Sequence, residues 1–210
     1  TWALVMAAYR RVPQYVAQLQ AGVWQSSATQ PGHERIGRSL RGDVLGIWGY
    51  GRIGRLVAGY GRAFGMQVRV WGRAGSLERA LADGVAVAES REAFFAQADV
   101  LSLHLRLDDA TRGIVTGDDL ARMKPTALLV NTSRAELVER GAVERALQAG
   151  RPGLWALDVF EQEPLPTTSP LLHNDAVIAT PHLGYVEQAS YALYFSSAFR
   201  NLVAFFAARR

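Results

Sequence analysis

The chain has 210 residues, 49% hydrophobic and 20% charged, which is enough apolar material for a globular core. No apolar run approaches the roughly 18 residues of a membrane span, and the absence of cysteine excludes disulfides and a thiol nucleophile. The formal charge of +4 comes from scattered arginines, with Lys124 as the only lysine, and reads as a solvated surface with a few anion contacts and not as a nucleic-acid stripe.

Residues 1–20 predict an amphipathic helix with Trp2, Val5, Met6, Tyr9, Val12 and Val16 near helical spacing, and Pro13 is placed to kink it. Residues 21–43, rich in Gly, Ser, Gln and Arg, predict a loop. Val44–Trp48 is a short apolar strand ending in glycine. Arg52–Phe64 is a helix with Ile53, Leu56, Val57, Tyr60 and Phe64 on one face. Gln67–Trp71 is a second strand, followed by a short helix over Leu77–Ala82, an extended piece over Val85–Ala88 and a helical turn over Arg91–Ala96. Val100–Leu103 and Ala127–Val130 are strands, and Ala142–Ala149 is a helix closed by Gly150. Leu154–Val159 and Val177–Ala179 are strands, separated by a Pro/Ser/Thr-rich loop over Pro164–Pro170. Val186–Ala208 is a long last helix. Short, nearly all-apolar strands alternating with helices predict an α/β fold, a doubly wound parallel (Rossmann) sheet covered on both faces.

Gly49-Tyr50-Gly51-Arg52-Ile53-Gly54 is a G-x-G-x-x-G sequence, placed directly after a strand and opening a helix. Gly49 permits a tight turn, Gly51 lets the backbone approach a pyrophosphate, and Gly54 lets helix and strand pack closely. The free N–H groups of Arg52, Ile53 and their neighbours, with the helix dipole, favour the phosphates. The second strand ends Val70-Trp71-Gly72-Arg73, with no Asp or Glu to hold the ribose hydroxyls. Arg73 can pair with a 2′-phosphate, which favours NADP and leaves NAD open.

In a doubly wound sheet the carboxyl ends of the strands form the ligand crevice. Four segments follow strand ends: His104-Leu105-Arg106, Asn131-Thr132-Ser133-Arg134, Asp158 through Glu163-Pro164, and Thr180-Pro181-His182-Leu183-Gly184. Glu163 and His182 follow consecutive strands. A carboxylate beside an imidazole stabilises its protonated form and fixes its tautomer, giving an acid/base near neutral pH. Arg134 offers a planar fork for a carboxylate. The three suit hydride chemistry on a 2-hydroxy acid: Arg134 grips the substrate, His182 exchanges the proton and Glu163 orients His182. His33 and His173 fall in loops, and His104 has a structural or cofactor-adjacent place. No metal site is suggested. A non-catalytic dinucleotide sensor that binds partners is the alternative from another class.

These motifs, in order across roughly residues 40–190, resemble the D-isomer-specific 2-hydroxyacid dehydrogenase family. The segments are Leu45–Gly54, Asp99–Leu105, Met123-Lys124-Pro125 with Leu129–Arg134, Ala156–Leu165 and Thr180–Gly184. The resemblance implies Arg134, Glu163 and His182 as the catalytic trio and Asp158 as the nicotinamide-carboxamide contact. It implies a cofactor groove lined by Gly49, Gly51, Arg52, Ile53, Gly54, Arg73, Leu105, Arg106, Thr132, Ser133, Arg134, Asp158, His182 and Gly184. The Gly72-Arg73 pair is similar to the NADP-preferring glyoxylate and hydroxypyruvate reductase branch. Tyr185 stands where a small residue is frequent, and Arg106 where a proline is usual. By the same resemblance, residues 1–25 would be an interdomain and dimerisation helix, 26–185 the dinucleotide-binding domain, and 186–210 a helix leading toward a substrate domain largely outside this chain. The expectation is a cytoplasmic homodimer acting on a small 2-keto or 2-hydroxy acid, of which the present chain is a fragment that binds dinucleotide better than it turns over.

Overall fold

The computed structural model describes residues 1–24 and 36–208. His33 and most of the loop expected over residues 21–43 lie outside that set. Two helices open the chain, α1 (Trp2–Arg10) and α2 (Val12–Gln20). Then come β1 (Val44–Trp48), α3 (Arg52–Ala63), β2 (Gln67–Trp71), α4 (Ala74–Ala82), β3 (Ala86–Val87), α5 (Arg91–Gln97) and β4 (Val100–Leu103). The second half holds α6 (Gly117–Arg122), β5 (Leu128–Asn131), α7 (Ala142–Ala149), β6 (Leu154–Leu157), β7 (Val177–Ala179) and α8 (Gln188–Ala207).

The seven strands form one parallel sheet in the order β3-β2-β1-β4-β5-β6-β7. The chain steps outward from β1 to β3, crosses back to β4 beside β1, and then steps outward the other way. That reversal opens a crevice at the carboxyl ends of β1 and β4. Register brings the ends level: Trp48 pairs with both Trp71 and Leu103, Leu103 with Asn131, Asn131 with Leu157 and Leu157 with Ala179. The residues that follow these positions therefore share one rim.

Both faces are covered, as the largely apolar strands require. One core joins Val5, Tyr9, Ile47, Val57 and Val130 under α1 and α3. The other joins Phe95, Leu101, Leu120, Met123 and Trp155 under α5, α6 and α7.

The structure corrects several expectations. The first helix is not kinked but broken: Arg11 lies in the left-handed region (φ 52°) between α1 and α2. Pro13, in the first turn of α2, has no N–H to continue the first helix and its ring would crowd the carbonyl four residues back. On α3 the buried face is Gly54, Val57, Ala58 and Gly61, whereas Ile53, Leu56, Tyr60 and Phe64 are exposed. Small residues face the sheet because the helix lies close to it: a Cβ on Gly61 would meet Leu45 Cδ2 at 2.4 Å. Helix α6 was not foreseen, because its six residues lack a hydrophobic period. A capping box fixes it, with Thr116 accepting from the N–H of Asp119 and Asp119 accepting from that of Thr116.

Candidate active site

The glycine turn shows three glycines with three different reasons. Gly49 has φ 98°, and a Cβ there would lie 2.6 Å from the His104 carbonyl oxygen. Gly54 allows no Cβ at all, since it would stand 2.1 Å from the Gly49 carbonyl oxygen. Gly51, the N-cap of α3, has nothing within 4 Å of where its Cβ would be. No packing demand inside the protein explains that glycine, and an approaching ligand does. The turn is held from α4: Tyr50 donates its N–H to Ser76 Oγ at 2.8 Å, and its carbonyl accepts from Arg79 Nε at 3.3 Å. A cradle open at Gly51, on a twelve-residue helix N-terminus, fits a dinucleotide pyrophosphate. Leu105 borders the turn, its Cδ2 being 3.2 Å from the Cβ position of Gly49, and Arg52, Ile53 and Arg106 are exposed around it.

At the end of β5 the chain is stitched down before it offers its arginine. Asn131 is buried; its Oδ1 accepts from the N–H of Ser133 at 3.0 Å and its Nδ2 donates to the Arg134 carbonyl at 2.8 Å. Ser133 Oγ donates to the Leu103 carbonyl at 2.7 Å. Arg134 is left exposed, one guanidinium N–H returning to the Ser133 carbonyl at 2.6 Å.

His182 and Glu163 meet, with Nδ1 2.7 Å from Oε2. The other carboxylate oxygen of Glu163 accepts from the N–H of Phe160 at 2.9 Å. The hydrogen bond from His182, that N–H, and the charges of His182 and Arg134 together hold the Glu163 carboxyl below the usual carboxylate range. Glu163 therefore stays ionised at neutral pH and accepts from Nδ1 of His182, so that a proton exchanged by the ring would pass through Nε2. A cavity of about 580 Å³ adjoins the pair, floored by Phe160, Leu165, Leu172 and Ala179. His182 itself adopts a left-handed backbone (φ 54°), unusual outside glycine and a form of strain that concentrates at working sites.

Asp158 explains how that backbone is held. Its buried carboxylate accepts from Thr180 Oγ1, from the N–H of Leu183 at 2.8 Å and, on the other oxygen, from the N–H of Gly184 at 2.8 Å. A Cβ on Gly184 would crowd that oxygen at 3.3 Å. Asp158 thus fixes the loop on both sides of His182, a part the sequence did not disclose. It also lines, with Thr132, Thr180 and Gly184, a cavity of about 620 Å³ beneath α1. His104, at the base of the rim, has Nε2 2.9 Å from Ser102 Oγ, and burial pulls its pKa down to about 4. Arg73 sits at the end of β2 as the N-cap of α4, 3.4 Å from Asp108. Tyr185 stands edge-on to the His182 ring at 5.7 Å between centroids. His173 is exposed, its Nε2 3.1 Å from the Thr167 carbonyl. Among the described residues no cluster of His, Cys, Asp and Glu could hold a metal.

Comparison with known proteins gives a consistent result. Residues 2–184 match the model of the D-isomer specific 2-hydroxyacid dehydrogenase NAD binding domain. A glyoxylate reductase of Aeropyrum pernix is 40% identical over 207 residues, covering 98% of this chain and 61% of the relative. A D-3-phosphoglycerate dehydrogenase of Methanocaldococcus jannaschii is 38% identical over 184 residues, 88% of this chain and 34% of the relative. A solved oxidoreductase structure from Ralstonia solanacearum superposes with a TM-score of 0.93 at 59% identity, covering 99% of this chain and 62% of that one. The chain thus spans about three fifths of the length of the first of these relatives and about a third of the second.

Proposed function

The chain belongs to the D-isomer specific 2-hydroxyacid dehydrogenase family, as its NAD-binding domain, and from that premise we propose that the protein transfers a hydride between NAD(P) and a small 2-keto or 2-hydroxy acid. The observation that carries the reading is the 2.7 Å contact between His182 and Glu163 on the rim shared with the glycine turn. Gly51 and the N-terminus of α3 would hold the pyrophosphate, with Arg52, Ile53, Leu105, Arg106, Thr132 and Ser133 along the groove. The bound nicotinamide supplies or accepts the hydride.

The chain's own residues do the rest. Arg134 grips the substrate carboxylate and polarises the carbonyl beside it. His182 delivers a proton from Nε2 to the carbonyl oxygen in the reductive direction and removes it in the oxidative one. Glu163 fixes the tautomer and stabilises the imidazolium. Asp158 holds the His182 loop, and its carboxylate rims the place expected for the carboxamide. Arg73 supports NADP as the preferred cofactor.

The substrate class is glyoxylate or hydroxypyruvate, with Tyr185 narrowing the space beside His182. The exposed apolar residues Val12 and Val16 of α2 support a homodimer through this N-terminal helical segment. No described helix is long and apolar enough to cross a membrane, and the setting we assign is cytoplasmic.

Steady-state assay of the full protein with glyoxylate or hydroxypyruvate and NADPH should show turnover. Dinucleotide binding without turnover of any 2-keto acid would make the protein a sensor instead. Arg73→Asp should shift the preference toward NAD, and an unchanged preference would remove Arg73 from the assignment.

A further inference from the structure

The mouth of the glycine turn is bridged by an ion pair that the chemistry above does not use. β2 and β4 lie on the two sides of β1, so the loops that leave them flank Gly49–Gly54. Arg73 follows β2, and its Nη2 stands 3.4 Å from Oδ2 of Asp108, in the loop after β4. Two strand spacings, about 10 Å, separate those strands, and the pair reaches across them over the turn.

Asp108 is the fixed member. Its Oδ1 accepts from the N–H of Ala110 at 3.0 Å, and its own N–H donates to Thr111 Oγ1 at 2.8 Å. That hydroxyl in turn donates to the Arg106 carbonyl at 2.7 Å. Arg73 is the exposed member, with a side chain 71% exposed. An exposed pair of this kind contributes little to folding. A carboxylate held there bears instead on whatever Arg73 is meant to receive.

We propose that Asp108 is a cofactor-specificity residue that opposes Arg73. Within the dinucleotide-binding reading on which this rests, Arg73 can meet a 2′-phosphate only by leaving Asp108 or by sharing itself between two anions. A carboxylate that close to the guanidinium lies well inside the Debye length, about 8–10 Å, of any phosphate bound to it, and so repels it. The unphosphorylated ribose has no charge to repel and offers Asp108 a hydroxyl donor. The pair therefore pulls the chain back from strict NADP preference toward acceptance of both dinucleotides.

The test is a titration of the full protein, wild type and Asp108→Asn, with NADPH and with NADH, followed by tryptophan fluorescence or calorimetry. Asparagine keeps the acceptor for Ala110 and removes only the charge. The Kd for NADPH should fall by about three- to tenfold, with that for NADH unchanged or raised, and the difference should shrink at high salt. An NADPH affinity that is unchanged or weaker in Asp108→Asn would overturn the inference while leaving the dinucleotide reading intact. Failure of the wild type to bind either dinucleotide would remove both.

Discussion

The two ends of the crevice are built differently. Around the glycine turn the backbone is locked from all sides: Gly49 lies against the His104 carbonyl, Gly54 against Gly49, and Tyr50 is tied to α4 through Ser76 and Arg79. At the other end Arg134 and Glu163 are exposed, the His182 loop hangs from Asp158, and the following helix α8 has no buried residue. A cradle for a rigid, charged cofactor can be finished within one sheet. Under the proposed function, the His182 end must admit a substrate and then exclude water, which needs more enclosure than the described residues give it. Binding and chemistry should accordingly separate under mutation.

The largest separation is expected at His182. His182→Ala in the full protein should lower kcat by about two to four orders of magnitude, while the Kd for the dinucleotide moves less than threefold. A kcat loss under threefold would break the contrast, because the exposed end would then carry no chemistry.

At the locked end two glycines should part ways. Gly51→Ala adds a methyl where the protein has free space, so the melting temperature should stay within about 1 °C. Dinucleotide affinity should nonetheless fall at least about tenfold, since the methyl stands where the pyrophosphate must approach. Gly54→Ala forces a methyl onto a carbonyl oxygen and should lower the melting temperature by about 5–10 °C. Equal melting temperatures for the two variants would contradict the division of roles.

The smallest effect concerns His104. Its folded pKa of about 4 lies below the ordinary 6.5 because burial disfavours the charged ring. Between pH 6.5 and 4 the unfolded chain takes up a proton that the folded one refuses, so stability falls as pH falls through that window. His104→Gln should flatten the decline, leaving the variant several °C less acid-sensitive across it. Parallel melting curves over the same pH range would show that His104 is not held neutral.

What could be read beforehand follows the same contrast. The glycine turn, the strand ends and the Glu163–His182 pair were legible because backbone-limited motifs demand particular residues at fixed spacing, and because parallel topology puts strand ends on one rim. The parts that escaped depend on contacts distant in sequence. Asp158 could be placed on the rim from the sequence, but its hold on Thr180, Leu183 and Gly184, 22 to 26 residues away, could not. Asn131 gives no sign that its side-chain amide holds both the Ser133 N–H and the Arg134 carbonyl. The apolar stripe of α3 misled because periodicity shows which residues share a face, not which face is turned inward. There the small residues Gly54, Ala58 and Gly61 let the helix approach the sheet, and Ile53, Leu56 and Tyr60 were left outside.

The pH dependence of kcat/KM for reduction of a 2-keto acid, in the wild type and in Glu163→Gln, tests the acid–base pair most directly. Under the proposed function His182 is the proton donor for reduction, so activity should decline toward alkaline pH. The ionised Glu163, itself held in that form by His182, the Phe160 N–H and the nearby arginine, favours the protonated ring. Its replacement by neutral glutamine should move the alkaline decline of activity to lower pH. A decline that stays in place while kcat falls would mean that Glu163 does not act through His182, and the central assignment would be wrong.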